Sequence, residues 1–176
     1  EDCTELNPQS PYADSKIQAE QLLIDMGEKN GLKFATLRLG TIFGPSIGMR
    51  FHTAVNKFCW QATLGQPIQV WRTAYDQMRP YLGVNDACSV IKFLIKNNML
   101  NGGTYNVVSS NTTVKYIVEV IRERYSNIEV QFVNSPIMNQ LSYEVSADRI
   151  EACGFFPREN IRMGILDTLS FLEHFR

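Results

Sequence analysis

The sequence has no long apolar run, no block of like charge and no glycine-rich phosphate turn, and each absence removes a class of function. Its apolar stretches are only a few residues long, far short of the roughly 20 that a membrane-crossing helix needs, so no membrane span is expected. The opening residues, Glu1-Asp2-Cys3-Thr4-Glu5, offer neither the basic nor the hydrophobic segment of a secretory signal. The 17 basic and 18 acidic residues are interspersed and nearly cancel. Without a Lys/Arg cluster, neither nucleic acid nor an anionic membrane surface is an expected partner. The two histidines, His52 and His174, lie far apart with no Cys or acidic neighbours at ligand spacing, so no metal is expected. Four cysteines, Cys3, Cys59, Cys88 and Cys153, form no C-x-x-C pair and read as reduced thiols of a cytoplasmic protein. The eleven glycines include no G-x-G-x-x-G or G-x-x-G-x-x-G, and Gly40, Gly44 and Gly48 have the wrong spacing to cradle a dinucleotide pyrophosphate.

What the sequence does contain is an alternation of helix and strand patterns from end to end, which indicates an α/β fold. A helix is expected from Pro11 to about Glu28, stopped by Lys29-Asn30-Gly31, and a buried strand from Lys33 to Leu39. Thr41 to Pro45 reads as a loop at the C-terminal end of that strand, where open α/β sheets hold ligands. A helix over Met49 to Leu64, strands at Ile68 to Trp71 and Arg79 to Leu82, and a helix capped by Asn85 or Asp86 and running through Lys96 follow. The remaining expectations are a strand at Thr104 to Val108, a helix capped by Thr112 or Thr113 and ending near Tyr125, a strand at Ile128 to Val133, and a last helix from Ile161 to Phe175. At 100° per residue the first helix carries two apolar stripes, one through Tyr12, Ala19, Leu22, Leu23 and Met26, the other through Ala13, Ile17 and Ile24. Such a helix should pack on two sides, against its own sheet and against another helix or a partner subunit.

Tyr12 and Lys16 stand at i and i+4 near the start of that helix, so both side chains project from one face. An ammonium beside a phenol favours the phenolate, and a helix N-terminus acts in the same direction, which makes tyrosine a usable acid/base near neutral pH. The pair alone is also an ordinary amphipathic helix start. Its position before a buried strand and a Gly-Pro loop is what points to chemistry.

The string Ser10-Pro11-Tyr12-Ala13-Asp14-Ser15-Lys16 with Ala19-Glu20, then Leu37-Arg38-Leu39-Gly40-Thr41-Ile42-Phe43-Gly44-Pro45, resembles the extended short-chain dehydrogenase/reductases that act on nucleotide sugars. Gly65-Gln66-Pro67-Ile68, Arg79-Pro80-Tyr81-Leu82-Gly83-Val84-Asn85-Asp86-Ala87, Thr104-Tyr105-Asn106-Val107 and Gly154-Phe155-Phe156-Pro157 keep the family's order along almost the whole chain. The resemblance implies the C-terminal part of a Rossmann-like doubly wound domain plus a smaller α/β substrate-binding domain. Residues 1–44 would be the remnant of the dinucleotide-binding domain, and 45–176 mainly the substrate-binding domain, with some elements returning to the Rossmann sheet. It implies an NAD(P)-dependent epimerase, dehydratase or reductase, with NAD or NADP as cofactor, a nucleotide sugar as substrate, and a homodimer through the Tyr12–Lys16 helix. Tyr12 becomes the acid/base, and Lys16 tunes it and donates to the nicotinamide ribose. Thr41, Ile42 and Pro45 line the nicotinamide end, Thr41 also faces substrate, and Arg79 meets a substrate phosphate with its guanidinium fork. Asp86 reads as a helix cap.

Two departures blur the substrate. Thr41 stands where many members carry Asn, and Ile137 to Leu141 stand where an Arg-rich stretch is usual. The missing glycine turn implies a C-terminal half that is inactive alone. The competing expectation is a non-catalytic ligand- or partner-binding module derived from the same fold.

Overall fold

A computed structural model describes residues 1–2, 6–134 and 142–175. Chain order begins with α1 (Pro11–Asn30), β1 (Thr36–Leu39), β2 (Thr41–Phe43), α2 (Ala54–Thr63) and β3 (Ile68–Trp71). It continues through β4 (Met78–Gly83), α3 (Val84–Lys96), β5 (Thr104–Val107), β6 (Ser110–Thr113), α4 (Val114–Arg124) and β7 (Val130–Val133) to α5 (Asp148–Ala152) and α6 (Ile161–Glu173). The fold is α/β, as the alternation requires.

Local chemistry accounts for the element ends. Ser10 caps α1 by accepting from the Ala13 amide at 3.1 Å, with Pro11 in the first helical turn where its missing N–H costs nothing. Gly31, at φ 67°, stops the helix in the left-handed conformation that glycine adopts without strain. Thr113 caps α4 through the Tyr116 amide, and Asn160 caps α6 through Arg162 and Met163. In β3, Ile68 and Val70 are buried while Gln69 and Trp71 face out, the two-residue period of a half-buried strand.

Among the described residues the strands form three small sheets: β1 parallel to β5, β3 parallel to β7, and β2 parallel to β4 with β6 antiparallel on its other side. Two apolar clusters hold them. One gathers Phe58, Cys59 and Ala62 of α2, Ile117 and Ile121 of α4 and Ile165 and Leu169 of α6 around β3. The other joins Val90 and Leu94 of α3 to Tyr105 and Val107 of β5, with Leu82, Ile150 and Phe155. Each such aliphatic side chain, fully buried, contributes about 1.5–3 kcal/mol of transfer free energy.

Several expectations need correction. Thr41 to Phe43 is a strand in register with Tyr81 to Gly83, and only the residues after it form a loop. Gly40 makes the step between the two sheets: a Cβ there would meet the backbone of Pro80 and Tyr81 at 3.1–3.2 Å, so the chain crosses at a separation that a side chain would push apart. Helix α2 starts at Ala54, five residues later than Met49, because the Gly48 to Thr53 segment turns first. Neither Asn85 nor Asp86 caps α3; Gly83 is the capping residue and has no side chain to offer. Glu159 reaches across from the far end of the sequence instead, accepting from the amides of Asn85 and Asp86 at 2.9 and 3.0 Å. The α1 helix buries no residue, and Leu22 and Ile24 are 59% and 40% exposed, so neither apolar stripe finds the expected cover within this chain. Strand β6 and the short α5 carry no strong sequence signal, and the structure adds both to the expected elements.

Candidate functional site

Helix α1, strands β1 and β2 and the turn before α2 converge on a cleft of about 850 Å³. The first turns of α1 bring Tyr12, Lys16 and Glu20, one face at successive i+4 steps. Strand β1 brings Leu37, Arg38 and Leu39, β2 brings Thr41 and Ile42, and the turn before α2 adds His52 and Thr53. A second cavity of about 590 Å³ adjoins it, lined by Lys57, Trp71, Arg79, Tyr81 and Tyr143. Tyr12, Thr41, His52 and Thr53 line both.

Tyr12 is 71% exposed, and the Lys16 ammonium sits 5.4 Å from the centre of its ring, over the π face. The i,i+4 spacing therefore brings the two together as expected. Glu20 one turn further accepts from Arg38 of β1, at 2.9 Å from Nε and 2.6 Å from Nη2. This bidentate pair latches α1 to the strand, which fixes where Tyr12 and Lys16 point. Sequence reasoning assigns neither residue a role; an arginine in the middle of an apolar strand was the available signal.

Thr41 and Ile42 lie in the cleft wall. The lining passes from Gly44 to Ser46 without Pro45, the one expected member of that wall that is not part of it. Arg79 lies in the second cavity, its guanidinium carbon 5.0 Å from the Tyr143 ring centre and its Nη2 donating to Gln77 Oε1 at 2.7 Å. Tyr81 beneath it is buried, and that burial pushes its phenol up to about 12. Lys57 joins Arg79 in the wall, so two cations line one cavity. Asp86, read as a cap, is instead buried, accepting from Ser109 Oγ at 2.7 Å and the Glu159 amide at 2.9 Å.

Sequence reasoning missed Thr53, Asn56 and Lys57. Thr53 begins α2 without capping it, and its Oγ1 is shielded from water with no hydrogen-bond partner. An orphaned hydroxyl on the shared wall of two cavities costs about 1–3 kcal/mol unless a ligand meets it. Asn56 positions the Gly44 amide through Oδ1 at 3.2 Å and the Arg50 carbonyl through Nδ2 at 3.1 Å, so it shapes the cleft rim. The expectation for Ile137 to Leu141 lies outside the described residues. Among those described, no group of three His, Cys, Asp or Glu side chains is placed to hold a metal, and no helix is long and apolar enough to cross a membrane.

Comparison with known proteins agrees in sequence and in fold. UDP-glucose 4-epimerase of Thermus thermophilus, solved with NAD, superposes with a TM-score of 0.85 at 26% identity, over 98% of this chain and 57% of its own. RMD from Pseudomonas aeruginosa, solved with NADPH, gives the same TM-score of 0.85 at 23% identity, over 100% and 60%. A trifunctional UDP-glucose 4,6-dehydratase, epimerase and reductase of Arabidopsis thaliana is 23% identical over 97% of this chain and 26% of its own length. The chain thus spans roughly a quarter to three fifths of the proteins it matches. Residues 1–107, which carry the Tyr12–Lys16 helix, β1, β2 and Arg79, match the NAD dependent epimerase/dehydratase family. The chain belongs to the NAD-dependent epimerase/dehydratase family.

Proposed function

We propose that this chain is the substrate-facing half of an NAD(P)-dependent enzyme that epimerises, dehydrates or reduces a nucleotide sugar. The observation that carries this reading is that Tyr12 and Thr41 line both cavities at once. A proton-transfer group on the boundary between two compartments can serve a reaction whose two reactants occupy one compartment each.

The cleft residues fit one end of a dinucleotide. Lys16 and Tyr12 offer an ammonium and a phenol at its mouth, and the Thr53 hydroxyl is an unused donor in its wall. The sequence has no glycine turn for the pyrophosphate, so only the nicotinamide and its ribose would be held here. Bound nicotinamide supplies a hydride acceptor or donor. Tyr12 takes the proton from a sugar hydroxyl as the carbon beside it loses hydride, or returns it in the opposite direction. Lys16 holds the Tyr12 ring and donates to the ribose, and Thr41 donates to or accepts from the reacting oxygen. In the second cavity Arg79 and Lys57 take the substrate diphosphate, since an ammonium and a guanidinium fork on one wall suit a polyanion. Residues 1–44 then belong to the dinucleotide-binding domain and 45–176 mainly to the substrate-binding one, with α3 and β5 returning to the sheet of β1.

The test is a screen of nucleotide sugars with NAD and NADP, using a full-length protein that joins this chain to a glycine-rich half. Turnover is expected with at least one sugar, and Arg79→Ala should raise its KM by roughly tenfold to a hundredfold. Inhibition by the matching nucleoside diphosphate should weaken in parallel. A full-length protein that binds dinucleotide yet converts no nucleotide sugar would remove the substrate assignment.

A further inference from the structure

We propose that a hollow beside α3, lined by none of the residues that line the Tyr12 cavities, is a second ligand site and that it takes a nucleoside polyphosphate. The hollow measures about 470 Å³ and shares no lining residue with either cavity of the candidate active site. That size lies within the range of about 300–1,000 Å³ usual for small-molecule sites.

Its wall joins three cations, Lys92 and Lys96 of α3 and Arg158 of the segment before α6, to the rings of Phe93, Phe155 and Phe156. Cations near the C-terminal end of a helix have an ordinary explanation in the helix dipole, and that explanation covers Lys96. It does not cover Lys92 one turn earlier, nor Arg158, which lies outside any helix. Among the described residues none of the three cations forms an ion pair. The one carboxylate among the lining residues, Asp86, is already engaged, accepting from Ser109 Oγ at 2.7 Å and from the Arg158 and Glu159 amides at 2.9 Å each. At the carbonyl end of α3, the Asn97 side chain covers the Phe93 carbonyl, donating at 2.8 Å, which leaves the cations to set the sign of the hollow. Three like charges on one concave surface repel one another until an anion joins them.

The rings narrow the chemistry further. Phe155 is buried and meets Phe93 with ring centres 5.5 Å apart, while the adjacent Phe156 leaves 58% of its surface in water. Inorganic phosphate would use the cations and leave that ring exposed. A planar base stacks on a phenyl face while its phosphate chain reaches ammonium and guanidinium groups, and that combination uses the whole wall.

Calorimetric titration of the 176-residue chain with ADP and with inorganic pyrophosphate tests the site, and Arg79→Ala as background removes the phosphate contacts of the other cavity. Saturable ADP binding is expected, weakened about tenfold or more by Lys92→Gln with Lys96→Gln. Phe156→Ala should weaken ADP about fivefold or more and leave pyrophosphate unchanged. These positions are exposed, so an unaltered melting curve shows that the variants fold. Absence of ADP binding, or binding indifferent to the lysine pair, would overturn the site. Equal affinity for ADP and pyrophosphate, or an ADP affinity unmoved by Phe156→Ala, would overturn its assignment to a nucleotide.

Discussion

Tyr12→Phe keeps the ring beneath the Lys16 ammonium and removes only the hydroxyl, so the 5.4 Å cation–π contact survives the substitution. In a full-length protein, kcat should therefore fall by about 10² to 10⁴ with cofactor affinity little changed. Lys16→Met should lower both rate and cofactor affinity, because the proposed function gives one side chain both tasks. Near-normal kcat in the phenylalanine variant would end the acid/base assignment, and a Lys16 variant altered only in melting temperature would make the pair structural. Glu173 illustrates a residue whose contacts bear on stability. Hydrogen bonds from Arg124 and then Tyr125 pull its carboxyl from the usual 4.5 down to about 2. A carboxyl lowered on folding adds stability that is complete above 4.5 and disappears as pH falls toward about 2. Glu173→Gln should cost about 1 kcal/mol at neutral pH, the scale of a partly exposed ion pair. It should also flatten the loss of stability on acidification across that window, as urea unfolding at stepped pH would read. Parallel pH curves for the two proteins would remove Glu173 from the acid response.

At the scale of elements, α3 depends on a residue that sequence proximity cannot supply. Its first turn is capped by Glu159, whose carboxylate also accepts from Asn85 Nδ2 at 2.9 Å. Gly83 makes room for that carboxylate, since a Cβ there would lie 1.8 Å from Glu159 Oε2. Its φ of −65° suits any residue, so the requirement is space and not backbone freedom. Gly83→Ala should thus displace the cap and cost about 0.5–2 kcal/mol, the usual cost of a lost helix cap, by thermal or urea unfolding. Glu159→Ala should cost a similar amount, and the double variant should cost little more than either single one, because both remove the same contact. Additive losses would show that Gly83 has a separate task. The same region explains why Asp86 reads as a cap in sequence: it stands in the first helical turn, but its carboxylate is turned toward the Arg158 and Glu159 amides.

For the molecule as a whole, the exposed α1 helix is the consequential feature. Leu22, Ile24 and Met26 are 59%, 40% and 37% exposed, on a helix that buries none of its residues in this chain. Apolar surface of this kind favours association, so the 176-residue chain should self-associate in sedimentation runs, and Leu22→Glu with Ile24→Lys should return it to monomer. Monomer at every concentration would argue against a contact through this helix. The chain alone should also show no turnover with NAD and a nucleotide sugar, because no glycine-rich turn is present to hold the pyrophosphate.

The sequence by itself determined the α/β class, most of the helices and strands, and the Tyr12–Lys16 pair. These are set by local chemistry: an i+4 spacing, a serine cap, a glycine stop, and alternating apolar residues. It also determined family membership, through motifs whose order is preserved along the chain. Only the tertiary structure decided that Thr41 to Phe43 is a strand, since that depends on β4 lying beside it, nearly forty residues on. It alone placed Thr53 and Lys57 on the cavity walls and Pro45 off them, latched α1 through Glu20 and Arg38, and gave the α3 cap to Glu159. Each of these pairs groups that are distant in sequence, and one chain read along its length carries no signal for which distant groups will meet.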